Sequence, residues 1–169
     1  CTLGEWYYSS LNYQKVIETM TECVQEHLVD GNELGAANDL HLIGSAQREL
    51  GQYEIAVETF FEARRLYKSL KEVISVARCD QKIASCLVEL GEGQAALDRA
   101  RKAMDVFETA HDSRRLVLAL FEFGKAQVLL GEFEEALATF DQVLTAASED
   151  EPRDFDFIVS IESRIALVL

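Results

Sequence analysis

Proline is nearly missing from this chain of 169 residues, and a single proline with nine glycines supplies too few turn formers for the many reversals of an all-β fold. Ala, Leu and Glu dominate instead, and all three favour helix, so the composition predicts an all-α protein. Long apolar runs are also lacking: none approaches the roughly 18–20 residues needed to cross a bilayer, and the opening segment has no charged-then-apolar signal-peptide layout. Basic residues are scarce, 16 Lys and Arg against 30 Asp and Glu, and the net charge of −14 excludes the broad basic face that nucleic acid or anionic lipid requires. The four cysteines, Cys1, Cys23, Cys79 and Cys86, show neither C-x-x-C spacing nor the density of a disulfide-stapled domain, so they read as buried thiols of a reduced, cytoplasmic protein. No His–Cys or H-E-x-x-H spacing joins His27, His41 and His111, so neither a metal nor a cofactor is expected.

What is present is a repeat. Leu50-Gly51, Leu90-Gly91 and Leu130-Gly131 recur at a period of 40. A bulky residue followed by a tiny one recurs at Leu3-Gly4, Ile43-Gly44, Ile83-Ala84 and Phe123-Gly124, which marks a close approach of two helices. Tyr13, Tyr53, Gly93 and Phe133 form a further series, as do Val16, Ala56, Ala96 and Ala136, then Met20, Phe60, Ala100 and Phe140, and finally Cys23, Ala63, Ala103 and Val143. Within a unit, Tyr53, Ala56, Val57, Phe60, Ala63, Leu66, Tyr67 and Leu70 advance by three and four and so share one helical stripe. The pattern predicts helices near 1–10, 13–29, 33–50, 53–69, 72–90, 93–110, 113–130, 133–147 and 154–169, grouped into units 1–30, 31–70, 71–110 and 111–150 and a partial unit 151–169. Residues 1–169 read as one array, and because the chain starts and stops inside repeat units it is expected to be part of a longer protein.

These residues resemble the tetratricopeptide repeat, which combines a large residue and a glycine on its first helix with a glycine turn, an aromatic and two alanines on its second. Gly44, Gly51, Tyr53, Ala56, Phe60 and Ala63 match that pattern, as do Gly124, Gly131, Phe133, Ala136 and Phe140. The unit is longer than the commoner form of about 34 residues and lacks its closing proline. Units of 40 residues are similar to those of bacterial peptide-sensing regulators and of animal adaptor proteins whose repeats begin with a Gly-Asp-like turn, a form that Gly31-Asn32-Glu33-Leu34-Gly35-Ala36-Ala37 approaches. The resemblance implies a right-handed α–α superhelix of about four helix hairpins plus a terminal helix, with a concave face lined by first helices, and an interaction module with no catalysis of its own.

First-helix residues that avoid the packing stripe are the candidates for that face: Glu5 and Tyr8; Asn38, His41, Ser45 and Arg48; Arg78, Gln81, Lys82 and Ser85; Phe121, Glu122, Lys125 and Val128. Arg48, Arg78, Lys82 and Lys125 gather on one inferred face of an acidic chain. That predicts attraction for an acidic or carboxylate-bearing protein segment, with Phe121 and Val128 offering apolar contact. The plainer alternative is that each pairs with a Glu three or four residues away. Arg78 and Lys82 resemble one pair of the carboxylate clamp of chaperone-binding members, but its other positions fall at Cys1, Glu5 and Leu42, so the clamp as a whole is absent.

Other patterns have structural explanations. Gly91-Glu92-Gly93-Gln94-Ala95-Ala96 fits G-x-G-x-x-A but follows a helix and coincides with the repeat turn. Glu132, Glu134 and Glu135 fall at a helix start, where negative charge complements the macrodipole. His27 shares its register with Tyr67 and Phe107 and reads as a packed or edge-exposed core histidine. The competing functional reading is a structural oligomer: Phe155, Ile158, Val159, Ile161, Ile165, Leu167 and Val168 would leave apolar surface through which terminal helices could form a homodimer.

Overall fold

Six turns at intervals of twenty residues divide the computed structural model, which describes residues 12–149, 161 and 163–166. They separate seven helices: α1 (Tyr13–Val29), α2 (Glu33–Glu49), α3 (Tyr53–Ser69), α4 (Val73–Glu89), α5 (Gly93–Thr109), α6 (Ser113–Leu130) and α7 (Phe133–Glu149). Residues 161 and 163–166 are also helical. The expected helix 1–10 lies outside the described residues, and the expected helix 154–169 is described only in part.

Each turn is built alike. Gly31, Gly51, Lys71, Gly91, His111 and Gly131 take left-handed backbone with φ between 55° and 78°. The next residue then donates its N–H to a carbonyl five positions back, as in Asn32 to His27 at 2.8 Å, Glu72 to Tyr67 at 2.9 Å and Asp112 to Phe107 at 2.9 Å. This is the Schellman closure, which satisfies carbonyls that a helix end leaves orphaned. The same connection therefore serves within units and between them, so the 40-residue repeat contains two half-units with the same turn. Asn12, Asn32 and Asp112 go on to cap the helices that follow, accepting from the N–H of Lys15, Gly35 and Arg115.

Every helix packs on the next, and the first helices α2, α4 and α6 also contact one another along the stack. They form the inner layer, while α1, α3, α5 and α7 form the outer layer with grooves between them. Ala56, Ala96 and Ala136 are fully buried where hairpins close. At Gly44 an added Cβ would lie 2.9 Å from Cε1 of Phe60, and at Gly124 2.7 Å from Cε1 of Phe140, so glycine makes room for each phenylalanine. The third unit holds Ala84 and Ala100 at these registers, a smaller pair sharing the space differently. Ile161 is buried against Ala136, Phe140 and Val143, with Ile165 partly buried beside it, so these two residues cover the α6–α7 core and do not present a free apolar face.

Cys79 and Cys86 are buried free thiols, as expected. Cys23 is disulfide-bonded, which corrects the reading of all four cysteines as free; Cys1 lies outside the described residues. Among the described residues no helix is long and apolar enough to cross a membrane.

Candidate functional site on the first-helix layer

The inner layer places the expected site residues on three successive helices: Asn38, His41, Ser45 and Arg48 on α2, Arg78, Gln81, Lys82 and Ser85 on α4, and Phe121, Glu122 and Lys125 on α6. Their exposure is uneven. His41, Ser45, Gln81, Ser85, Phe121, Glu122 and Lys125 are buried by neighbouring helices, Arg48, Arg78 and Lys82 are half-buried, and Asn38 is exposed. Phe121 belongs to the core, its ring centroid 5.9 Å from that of Phe140, whereas the helical spacing had suggested a ligand contact. Glu5 and Tyr8 lie outside the described residues.

Polar links tie the layer together. Arg48 donates through Nη1 to Ser85 Oγ at 3.3 Å and pairs with Glu49. Lys125 Nζ donates to Glu122 Oε2 at 3.0 Å and Glu89 Oε1 at 3.2 Å, so its charge is neutralised inside the stack. The plain pairing alternative thus describes Lys125. It does not describe Arg78 or Lys82, which form no ion pair among the described residues. Arg48 Nε is buried without a hydrogen-bond partner.

Electrostatics follow from this crowding. Burial pushes Lys82 below the usual lysine range and Arg48 adds repulsion, while Glu122 and Glu49 pull the other way. Burial takes His41 down to about 3, helped by the charges of Arg78 and Lys82, so it is neutral at pH 7. Its ring meets Phe60 edge-on at 5.4 Å, and its Nδ1 lies 3.7 Å from Cys79 Sγ. Sequence reasoning missed this Cys–His pair because the residues are 38 apart on different helices. Burial raises the Cys79 thiol to about 12, and with neutral His41 beside it the pair lacks the thiolate–imidazolium character of a nucleophile.

Further polar groups were also hidden from sequence reasoning. Asp80, nearly fully buried on α4, accepts from Arg64 Nε at 2.9 Å and Arg99 Nη1 at 2.8 Å, which joins three helices. The register offered one signal: Asp80 stands where other units have Leu40 and Leu120, and Arg99 where they have Thr59 and Thr139. His27 packs over Gly35, with its Nε2 3.5 Å from Asp39 and its Nδ1 3.1 Å from Asn32, consistent with a partly covered structural histidine. Among the described residues no group of three or more His, Cys, Asp or Glu is arranged to hold a metal. Gly91 is a helix-end turn and Gly93 opens α5, so the G-x-G-x-x-A segment has no strand before it.

This geometry defines an α–α solenoid of stacked helix hairpins. The sequence model of the tetratricopeptide repeat family matches residues 75–149, and the same hairpin geometry continues through α1–α3. Among solved structures, the apo form of RapI is similar at 17% identity with a TM-score of 0.81, covering 88% of this chain; the chain spans 54% of that protein's length. Two structures of nearly identical TPR-like repeats of a putative kinesin light chain from Podosopora anserina are similar at 16% identity, with TM-scores of 0.76 and 0.74, covering 99% of this chain and 82% of theirs. At these identities the likeness shows the fold. No curated protein sequence matches the chain.

Proposed function

We propose that the chain is a protein-binding module, an adaptor or the sensing part of a larger regulator, which holds an acidic or carboxylate-bearing segment on its first-helix layer. One observation carries the reading: Lys82 lies near both Arg48 and Arg78, and neither Arg78 nor Lys82 forms an ion pair among the described residues, in a chain of net charge −14. Like charges held together in a half-buried layer are costly, and an incoming carboxylate offsets that cost. Arg48 Nε supplies a buried donor with no bond of its own, and Arg78 supplies a fork suited to bidentate pairing. Asn38, His41, Gln81 and Ser85 hold or flank these cations, and Lys125 and Glu122 close the α6 side of the strip. The match of residues 75–149 to the tetratricopeptide repeat model and fold similarity to structures of TPR-like repeats support binding as the general role.

Fluorescence anisotropy with an acidic and a basic peptide pool tests the proposal. The acidic pool is expected to bind, more weakly as salt rises, and Arg78→Glu/Lys82→Glu is expected to weaken it about tenfold or more, the worth of one or two charge-assisted bonds. Equal binding of both pools, or acidic binding unchanged in the double variant, would remove these residues from the site. Self-association through terminal helices is the second reading; the burial of Ile161 and Ile165 within the chain weakens it.

A further inference from the structure

The outer layer has three equivalent grooves, each lying between successive second helices and floored by a first helix. In two of them an arginine lies over a phenylalanine. Between α3 and α5 the Arg99 guanidinium sits 4.8 Å from the Phe61 ring centroid and bonds Asp80. Between α5 and α7, Arg101 sits 5.5 Å from the ring of Phe123. The buried polar atoms beneath are satisfied too: Asp80 accepts from Arg64 and Arg99, and Gln127 Oε1 accepts from Thr139 Oγ1 at 2.8 Å.

The groove between α1 and α3 over α2 has no such arginine over a phenylalanine. Thr59 replaces Arg99 and Thr21 replaces Arg101, while Ile43 stands at the register of Phe123. Gln47, at the register of Gln127, is 8% exposed, yet its Oε1 has no hydrogen-bond partner: the Thr59 hydroxyl donates to Ile55 O alone, whereas the equivalent Thr139 hydroxyl lies within bonding distance of both Glu135 O and Gln127 Oε1. Gln47 lines a cavity of about 360 Å³ together with apolar Leu40, Ile43 and Leu66, polar Thr21, Gln25 and Thr59, and the exposed side chains of Glu62 and Arg65. A buried acceptor with Leu40, Ile43 and Leu66 beside it and the Glu62 carboxylate in the same lining fits a long apolar stem ending in a cationic N–H donor. That is the chemistry with which the molecule's own arginines occupy the neighbouring grooves.

We propose that the α1–α3 groove is a second protein-binding site that takes an arginine side chain from a partner segment, its stem along Leu40 and Ile43 and its guanidinium on Gln47 Oε1 and Glu62. The site lies on the face opposite the basic strip and selects the opposite charge, so one chain could hold two segments, or two parts of one partner, at once. A guanidinium here restores the partner that Gln127 has and Gln47 lacks.

The probe is the blocked tripeptide acetyl-Ala-Arg-Ala-amide, followed by NMR through the Gln47 side-chain amide and the Thr59 methyl of the whole chain, with acetyl-Ala-Glu-Ala-amide as control. The Arg peptide is expected to shift both signals saturably and the Glu peptide neither. Gln47→Leu, which installs the residue the third unit carries at Leu87, is expected to weaken the response about tenfold, the worth of one hydrogen bond to a charged group. Thr59→Arg supplies an internal arginine at the register of Arg99 and is expected to abolish the response while raising Tm. Arg78→Glu/Lys82→Glu is expected to leave it intact. The proposal is overturned if the Arg peptide leaves Gln47 and Thr59 undisturbed, or if it binds Gln47→Leu and Thr59→Arg as it binds the parent chain.

Discussion

Gly44 and Phe60 occupy one small volume between α2 and α3, and the glycine cannot gain a methyl group unless the ring moves, since the new Cβ would lie 2.9 Å from it. Gly44→Ala is expected to cost about 1–3 kcal/mol, read as a lower midpoint in urea. Combined with Phe60→Ala it is expected to cost less than the two singles summed, because alanine at both places is what the third unit uses at Ala84 and Ala100. The helix ends give the opposite case. Lys71 and His111 are exposed and adopt φ of 62° and 55°, a conformation the other turns give to glycine. Lys71→Gly and His111→Gly are each expected to stabilise the fold by about 1 kcal/mol, seen as a rise in Tm; no rise would mean that these side chains contribute contacts of their own. The glycine series was legible in the sequence because sterics write it residue by residue. The positive φ at Lys71 and His111 was not, since nothing in their chemistry announces it.

At the scale of the element, helix positions were legible almost to the residue, because Leu-Gly pairs and stripe spacing mark both ends. Glu72, expected inside a helix, is instead the N-cap of α4. The polar interior was less legible. Stripe spacing says that a residue faces the stack but not which neighbour it meets, so Ser45, Ser85, Glu122 and Lys125 could be placed on the first-helix layer without their burial or links being foreseen. Asp80 is the sharpest case, an acid at an apolar register held by guanidinium groups from two adjoining helices. Asp80→Leu is expected to cost about 1–3 kcal/mol by stranding Arg64 and Arg99, discounted because both arginines keep part of their solvent. Asp80→Leu/Arg99→Thr recreates the Leu and Thr of the neighbouring units and is expected to recover much of that loss in thermal melting. No recovery would show that the units are not interchangeable at this register.

For the molecule as a whole, charge is distributed against its average: the chain is strongly acidic, yet its inner layer sets Lys82 near both Arg48 and Arg78, with Arg78 and Lys82 acting on a neutral His41. Because the folded state holds His41 at about 3 against 6.5 in the unfolded chain, its protonation favours unfolding. Its share of stability is complete above pH 6.5 and is lost as the pH falls toward about 3, by up to ~1.4 kcal/mol per pH unit. His41→Gln is expected to flatten the stability–pH curve across that window, and an unchanged slope would mean that the acid loss comes from the carboxylates. The composition announced an acidic protein and the register announced a basic strip; which cations are neutralised internally is a property of side-chain packing across hairpins, and no spacing rule encodes it. The most direct test of the binding account is an NMR titration of the Lys82 side chain with and without a glutamate-rich peptide. In the free chain Lys82 is expected to titrate below 10.5, where burial and Arg48 hold it, and to move upward once the peptide's carboxylates arrive. An ordinary lysine titration in the free chain, indifferent to the peptide, would contradict the account.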